Sequence, residues 1–201
     1  MRALIFIFLF SIFGTDINVS AQVPTPVYES IQGAIIASNN GLSIERLDLT
    51  RQKLTTVPIE IRGFTDLREL NLNKNRLVEL PDWMNELTDM EVFSAERNKL
   101  DTFPEFILSW NHLRLLYLGD NLIPAIPINI DRLENLEWLG LWSNLIRIFP
   151  ASLSDMPNLQ TLDLLYNDMT YLEQTWLREL LPSVLLEMSD PCNCKFDESG
   201  N

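Results

Sequence analysis

The chain has 201 residues, and its 28 acidic residues outnumber its 15 basic ones, which gives a formal net charge of -13. This charge disfavours nucleic acid as a partner, because phosphate binding needs cationic surface. With one histidine and two cysteines, the chain cannot assemble a histidine-based triad, a histidine-rich metal site or a four-ligand zinc site. Phosphate-loop, dinucleotide and zinc-protease motifs are also absent, so we expect no enzymatic activity, no cofactor and no metal.

Residues 1–21 are predicted to be a secretory signal peptide. Met1 and Arg2 precede an apolar run over residues 3–13 that is too short to span a bilayer, and small residues at 19–21 would permit cleavage before Gln22. An uncleaved anchor is the alternative. We therefore expect a secreted, periplasmic or cell-surface protein with no membrane span after cleavage.

Residues 22–43 are predicted to be an N-terminal lead and a capping helix. Ile31, Ile35 and Ile36 have helical spacing and predict a helix over residues 28–37. Ser30 is the expected N-cap, and the turn sequence at 39–41 is expected to end the helix. This helix would cover the open end of the structure that follows.

From residue 44 to residue 181 the pattern L-x-x-L-x-L-x-x-N-x-L recurs six times at a period of 23 residues. The copies start at Ile44, Leu67, Met90, Leu113, Leu136 and Leu159. Apolar positions 1, 4 and 6 predict a short strand with inward side chains, and apolar positions 18 and 21 predict the opposite wall of each coil. An apolar-proline pair at positions 14 and 15 predicts a helical turn in which proline is the first helical residue.

Position 9 of each copy is an amide, and a buried amide there would bond the turning backbone of two coils. The predicted ladder consists of Gln52, Asn75, Asn98, Asn121, Asn144 and Asn167.

This period and pattern are typical of leucine-rich repeats. The chain resembles leucine-rich repeat proteins of the 23-residue type with L-P in each coil, as found in the Ras-group plant proteins, the Scribble scaffold and short bacterial proteins. The resemblance covers residues 28–188. It implies an α/β solenoid, a curved horseshoe arc of six repeats with a parallel β-sheet on its concave face and short helices or turns on its convex face. It also implies that the concave sheet binds other proteins.

The last repeat carries Glu173 in place of the proline, and residues 172–181 are predicted to continue as a longer amphipathic helix. Residues 182–201 are expected to form a C-terminal cap and tail, with a final strand around Leu186. Cys192 and Cys194 resemble the opening of the cysteine-rich cap of extracellular leucine-rich repeats, although its two later cysteines are missing. A local or intermolecular disulfide and a reduced tail both remain open.

Strand positions 3, 5 and 7 should point outward, because alternate side chains of a strand face opposite sides. They are polar in the first three coils and apolar or aromatic in the next three. The predicted partner-binding residues are Leu115, Tyr117, Trp138, Trp142, Asp163, Leu165 and Tyr166. We expect a hollow at Gly140 between the two tryptophans, into which a protein or peptide partner inserts a basic side chain.

Two other interpretations use the same surface. Trp138 and Trp142 could stack on sugar rings in a carbohydrate-binding module, or the chain could be a structural protein that self-associates. A secondary cationic ridge, which could receive an acidic partner, consists of Arg51, Lys53, Lys74, Arg76, Arg97 and Lys99. We prefer to interpret this ridge as ordinary solvated surface, of a kind common in the family it resembles, and not as a binding site.

Overall fold

The computed structural model describes residues 25–191, which form one sheet of eight parallel strands stacked in chain order. The strands are β1 Val27–Tyr28, β2 Arg46–Asp48, β3 Glu69–Asn71, β4 Val92–Ser94, β5 Leu115–Tyr117, β6 Trp138–Gly140, β7 Thr161–Asp163 and β8 Leu185–Glu187. The predicted signal peptide and the two cysteines, Cys192 and Cys194, lie outside the described residues.

The register of the sheet follows the period of the sequence. From β2 to β7 every residue pairs with the residue 23 positions later, as Arg46 does with Glu69. The step from β7 to β8 is one residue longer, since Thr161 pairs with Leu185. Equivalent positions of successive coils therefore lie side by side across the sheet.

The core is a single stack of apolar layers inside the coils. In the repeat that starts at Leu136, Leu136, Leu139 and Leu141 are fully buried, and the buried Leu153 and Met156 close the layer from the convex side. Trp110 is the largest fully buried side chain. Its indole Nε1 donates to Met84 O at 3.1 Å, and its ring meets Phe93 edge to face at 5.2 Å between centroids. No coil could bury these faces alone, so each depends on its neighbours.

The convex side carries short 3₁₀ helices in place of α-helical turns. They are Ile59–Gly63, Asp82–Glu86, Glu105–Ser109, Ile130–Arg132 and Ala151–Asp155. The prediction that proline is the first helical residue is wrong by one position in four of them. Pro81, for example, has an extended backbone (φ -74, ψ 142) and precedes the first helical residue.

The asparagine ladder is confirmed in five of the six repeats. Asn144 Nδ2 donates to Leu118 O and Leu141 O, both at 3.0 Å, and its Oδ1 accepts from Ile123 N at 3.0 Å. Equivalent bonds recur at Asn75, Asn98, Asn121 and Asn167. The prediction is wrong for Gln52, which is exposed. The segment before it contributes only the two-residue strand β1 to the sheet, so it supplies no equivalent turn for a buried amide.

Helix α1, Ile31–Asn39, covers the N-terminal end of the stack, and Ser30 is confirmed as its N-cap because its Oγ accepts from Gly33 N at 3.1 Å. Tyr28, which the helical spacing placed in this segment, instead joins the sheet with Val27 as β1, and the helix begins after the Ser30 cap. Its buried residues are Ala34 and Ala37, whereas Ile36 is exposed.

Helix α2, Tyr171–Leu180, covers the C-terminal end. Thr170 and Glu173 form a capping box, and Leu177 is fully buried. Gln174 Nε2 donates to Ser189 O at 2.9 Å, which ties the helix to the chain after β8. Within residues 25–191, no helix is long and apolar enough to cross a membrane.

Candidate binding site on the concave sheet

The structure brings the predicted site residues of β5, β6 and β7 together on the concave face of the sheet, which points away from the core. Leu115 pairs with Trp138, and the row of Tyr117 and Gly140 continues to Asp163. The side chains of Leu115, Tyr117, Trp138, Asp163 and Leu165 are half-buried there. Because the sheet is concave, side chains on neighbouring strands lie close together and cover part of one another's surface.

Gly140 does not form an open hollow. The rings of Tyr117 and Trp138 lie 6.2 Å apart between centroids and lean over this glycine. A Cβ at Gly140 would lie 3.2 Å from Trp138 Nε1 and 3.3 Å from Tyr117 Cδ1. The expected hollow is therefore filled by its own aromatic residues. Trp138 Nε1 is buried and has no hydrogen-bond partner in the described part of the chain.

Trp142 is not a wall beside Gly140, which corrects the sequence-based placement. Its indole lies across Gly119 in the preceding coil, where even a methyl group would overlap the ring. Its Nε1 donates to Glu96 Oε1 at 2.8 Å, and the Arg97 guanidinium carbon lies 5.6 Å from the ring centroid. Trp142 therefore holds Glu96 in place from two coils away.

Glu96 is the central residue of the site that the sequence reasoning missed. Besides the Trp142 bond, its Oε2 accepts from Asn73 Nδ2 at 3.4 Å, and its backbone N donates to Asn73 Oδ1 at 2.6 Å. Ser94 Oγ donates to the same Asn73 oxygen at 2.8 Å. The signal in the sequence was position 7, where Glu96, Gly119 and Trp142 follow one another and the glycine leaves room for the indole to reach the carboxylate.

Three carboxylates, from Glu96, Asp163 and Glu187, share this half of the concave face. Burial raises the pKa of Asp163, and the charges of Glu187 and Glu96 raise this pKa further. The hydrogen bond that Asp163 accepts from Leu165 N at 3.0 Å acts in the opposite direction and lowers it. The pKa of Tyr117 is also raised, by burial and then by the charge of Glu96. None of the three carboxylates has an ion-pair partner among residues 25–191.

The first coils form a concave cavity of about 490 Å³ to which the sequence reasoning assigned no site. Arg46 Nε contacts Glu69 Oε2 at 2.6 Å in its lining, and Asn71 Nδ2 donates to Asp48 Oδ2 at 3.2 Å. The cavity extends to Glu96 and Tyr117. It is thus continuous with the aromatic half of the face.

Tyr166 does not belong to the concave face. It follows β7 with a left-handed backbone (φ 58) and is 71% exposed. The same conformation occurs at the equivalent position of every repeat, and in the first three repeats that residue is Arg51, Lys74 or Arg97 of the predicted cationic ridge. Tyr166 therefore shares the edge of the solenoid with the ridge.

Comparison with known proteins agrees with this architecture. A family model described as Leucine Rich Repeat matches residues 66–87. No curated protein matches the chain significantly.

Among solved structures, a leucine-rich repeat protein of Leptospira interrogans matches at 26% identity with a TM-score of 0.62, over 76% of this chain and 44% of that one. Internalin C2 of Listeria monocytogenes matches at 21% identity with a TM-score of 0.62, over 74% of this chain and 63% of that one. The plant peptide hormone receptor RGFR1, solved in complex with RGF2, matches at 23% identity with a TM-score of 0.56, over 73% of this chain and 25% of that one. The chain thus spans less than two thirds of the length of each of these structures.

Proposed function

We propose that this chain, which has the fold of leucine-rich repeat proteins, is a non-enzymatic module that binds a protein or peptide through the concave faces of coils three to six. The fold is shared with the plant peptide hormone receptor RGFR1, which was solved in complex with RGF2. The apolar N-terminal run supports a secreted, periplasmic or cell-surface location, where such a module meets its partner.

One observation carries the proposal: Trp142 fixes Glu96 near Tyr117, whose ring contacts that of Trp138, and Glu96 has no ion pair within the described residues. A carboxylate already held by hydrogen bonds loses little freedom when a ligand arrives. Neighbouring aromatic rings add attraction for a cation. The partner therefore presents a lysine or arginine side chain to Glu96, with Asp163 and Glu187 adding to the field.

The test is affinity capture from the native extracellular milieu with the full chain after leader removal as bait. Glu96→Gln and Trp138→Ala are the site variants. Matched controls are Glu60→Gln, an exposed glutamate of a convex 3₁₀ helix, and Trp176→Ala on α2. We expect wild type and controls to retain the same protein, and each site variant to lower its affinity at least tenfold. Equal retention by all five proteins would refute the concave site.

Carbohydrate binding is disfavoured by the placement of Trp142, since one face of its indole lies on Gly119 and Arg97 lies near the ring. Only Trp138 would remain for stacking on a sugar. A basic peptide should bind less tightly as salt is added, because salt screens exposed charges. Salt-insensitive binding of an oligosaccharide, lost in Trp138→Ala, would favour the sugar-binding alternative.

A further inference from the structure

A second surface lies along the edge of the solenoid where the strands end. We call it the strand-end flank and define it as positions 8 to 13 of each repeat, which begin three residues after the last strand residue. Its first residue has a left-handed backbone in all six repeats, at Arg51, Lys74, Arg97, Asp120, Ser143 and Tyr166. Equivalent side chains therefore leave the edge in a regular row.

In the first three coils the flank carries six basic side chains against two acidic ones, Glu79 and Asp101, and most of the basic side chains have no ion pair within residues 25–191. Elsewhere on the molecule, arginines form ion pairs with a glutamate of the next coil. Arg46, Arg68 and Arg114 do so at N–O distances of 2.6, 3.2 and 2.8 Å, respectively. Of these six basic side chains only Arg97 has such a contact, at 3.8 Å from Asp120. No ion pair within residues 25–191 involves the other ridge residues, Arg51, Lys53, Lys74, Arg76 and Lys99.

This lack of partners is informative because acidic residues outnumber basic ones by 28 to 15. In so acidic a chain a basic side chain is seldom far from a carboxylate, yet the three described lysines are all found on this edge. The ridge is thus a local field of opposite sign to the rest of the molecule, and opposite potentials steer partners to their sites.

In the next three coils the same edge loses most of its positive charge and exposes apolar side chains, and its charged residues there are Asp120, Arg147 and Asp168. The ridge position held by Lys53, Arg76 and Lys99 is taken by Leu122, Leu145 and then Asp168. The exposed apolar side chains of this part are Leu122 (49%), Leu145 (53%), Ile148 (59%), Tyr166 (71%) and Tyr171 (66%). Contiguous exposed apolar surface of this kind is uncommon on a soluble protein unless it contacts something.

We propose that the strand-end flank is a second interaction site, for an extended partner segment that is acidic at one end and apolar at the other. The acidic end lies along the cationic coils and the apolar end along Leu122, Leu145 and Tyr166. Six coils at about 4.8 Å span about 24 Å, which matches an extended segment of seven or eight residues. This site is independent of the concave one, which is acidic and selects a basic group.

The probe is a fluorescent eight-residue synthetic peptide with three glutamates, two glycines, and then leucine, tyrosine and leucine. One comparison peptide replaces the glutamates with glutamine, and another replaces the apolar residues with serine. Fluorescence anisotropy against the full chain after leader removal measures each dissociation constant at low and high salt. We expect each comparison peptide to bind at least fivefold more weakly, and added salt to weaken only the peptides that carry glutamate.

Two protein variants locate the bound peptide. Lys74→Glu with Arg76→Glu reverses the ridge, and Leu145→Glu interrupts the apolar part. Arg132→Glu and Ile128→Glu are the matched controls, since both residues are exposed on the convex side and Ile128 is 82% exposed. We expect at least a tenfold loss for the flank variants and less than a twofold change for the controls. Circular dichroism melting confirms that all variants remain folded.

Several results would overturn the proposal. They are equal binding of the glutamine peptide, an equal loss in the controls, and binding of an eight-nucleotide single-stranded DNA as tight as that of the peptide. Loss of peptide binding in Glu96→Gln would instead place the peptide on the concave face. Because Glu96→Gln tests the concave site and Lys74→Glu with Arg76→Glu tests the flank, the two proposals can fail separately.

Discussion

At the scale of single residues, Asn144 shows how one side chain joins neighbouring coils. Its amide bonds two carbonyls and one backbone N–H inside the stack. Asn144→Ala removes these bonds and leaves buried backbone groups unsatisfied, so we expect the free energy of unfolding to fall by about 3 kcal/mol. Urea denaturation followed by circular dichroism measures the change.

Gln52 provides the matched control for Asn144, because it occupies the same repeat position but is exposed. Gln52→Ala should change the free energy of unfolding by less than about 0.5 kcal/mol. If the two variants were equally destabilised, the ladder would not be the source of the stability that we assign to it.

Gly119 is a second residue whose role depends on its neighbour. A side chain there would displace the Trp142 indole and break its bond to Glu96. We expect Gly119→Ala to cost about 2 kcal/mol of stability, as overpacking of a well-filled site does. Tryptophan fluorescence should also change, since the indole no longer packs on the backbone of residue 119.

Gly63 supplies the comparison, because nothing lies within 4 Å of a Cβ built there. Gly63→Ala should leave both the emission spectrum and affinity for the concave partner unchanged. A normal spectrum in Gly119→Ala would show that Trp142 does not depend on this glycine.

At the scale of elements, the repeat strands were predictable because the 23-residue period has no insertion between residues 44 and 181. Strand register, the inward leucines and the asparagine ladder from Asn75 onward follow from that period alone. Strand β1 was not predictable, since two residues carry no periodicity and Val27–Tyr28 is recognisable only by pairing with Arg46 and Leu47.

The candidate site was predictable only in part. The position of Trp138 and Trp142 along the strand predicts which face of the sheet they occupy. It does not predict the direction in which each indole ring points on that face. Trp142 turns toward Glu96 because Gly119 lies beside it and a hydrogen-bond acceptor lies beyond. Side-chain direction of this kind depends on neighbours in three coils, which a reading of single strands does not include.

Helix α2 depends on its N-terminal cap. Thr170 Oγ1 accepts from Glu173 N at 3.3 Å, and Glu173 Oε2 accepts from Thr170 N at 2.6 Å. We expect Thr170→Ala to lower the unfolding free energy by about 1 kcal/mol, the usual value of a lost N-cap. Chemical denaturation tests this.

Thr175→Ala is the control for the cap, because Thr175 lies within the same helix and its hydroxyl only donates to Tyr171 O, at 2.9 Å. We expect no loss of stability from that change, since alanine is the better helix former. A loss in Thr175→Ala as large as that in Thr170→Ala would assign the effect to helix packing and not to the cap.

At the scale of the whole molecule, the stacking of coils separates charge by surface. Carboxylates of coil three, coil six and β8 meet on one half of the concave face, while basic residues of the first three coils line the strand-end flank. Neither group is contiguous in sequence, since equivalent positions lie 23 residues apart. The two proposed sites would therefore select partners of opposite charge, although the chain as a whole has a net charge of -13.

The concave face should consequently bind a basic ligand in a pH-dependent way. Burial and the carboxylates of Glu187 and Glu96 hold the pKa of Asp163 above its ordinary value, although the hydrogen bond from Leu165 N lowers it. Tyr117, whose pKa is also raised, is neutral between pH 4 and pH 8. A bound cation favours the ionised form and lowers this pKa, so binding releases protons when it occurs near the raised value. Affinity should be highest above the raised pKa and should fall as the pH is lowered through it.

A labelled peptide with three lysines, titrated by anisotropy between pH 8 and pH 4 against residues 22–201, measures this dependence. We expect Asp163→Asn to weaken binding at pH 7 and to flatten the pH profile, whereas Asp82→Asn, an exposed convex aspartate, should behave as wild type. Stability should not suffer in Asp163→Asn. A carboxyl whose folded pKa is raised destabilises the fold when ionised, and that cost disappears as the pH falls. An unchanged profile in Asp163→Asn would show that the acidic half of the face does not contact the bound cation.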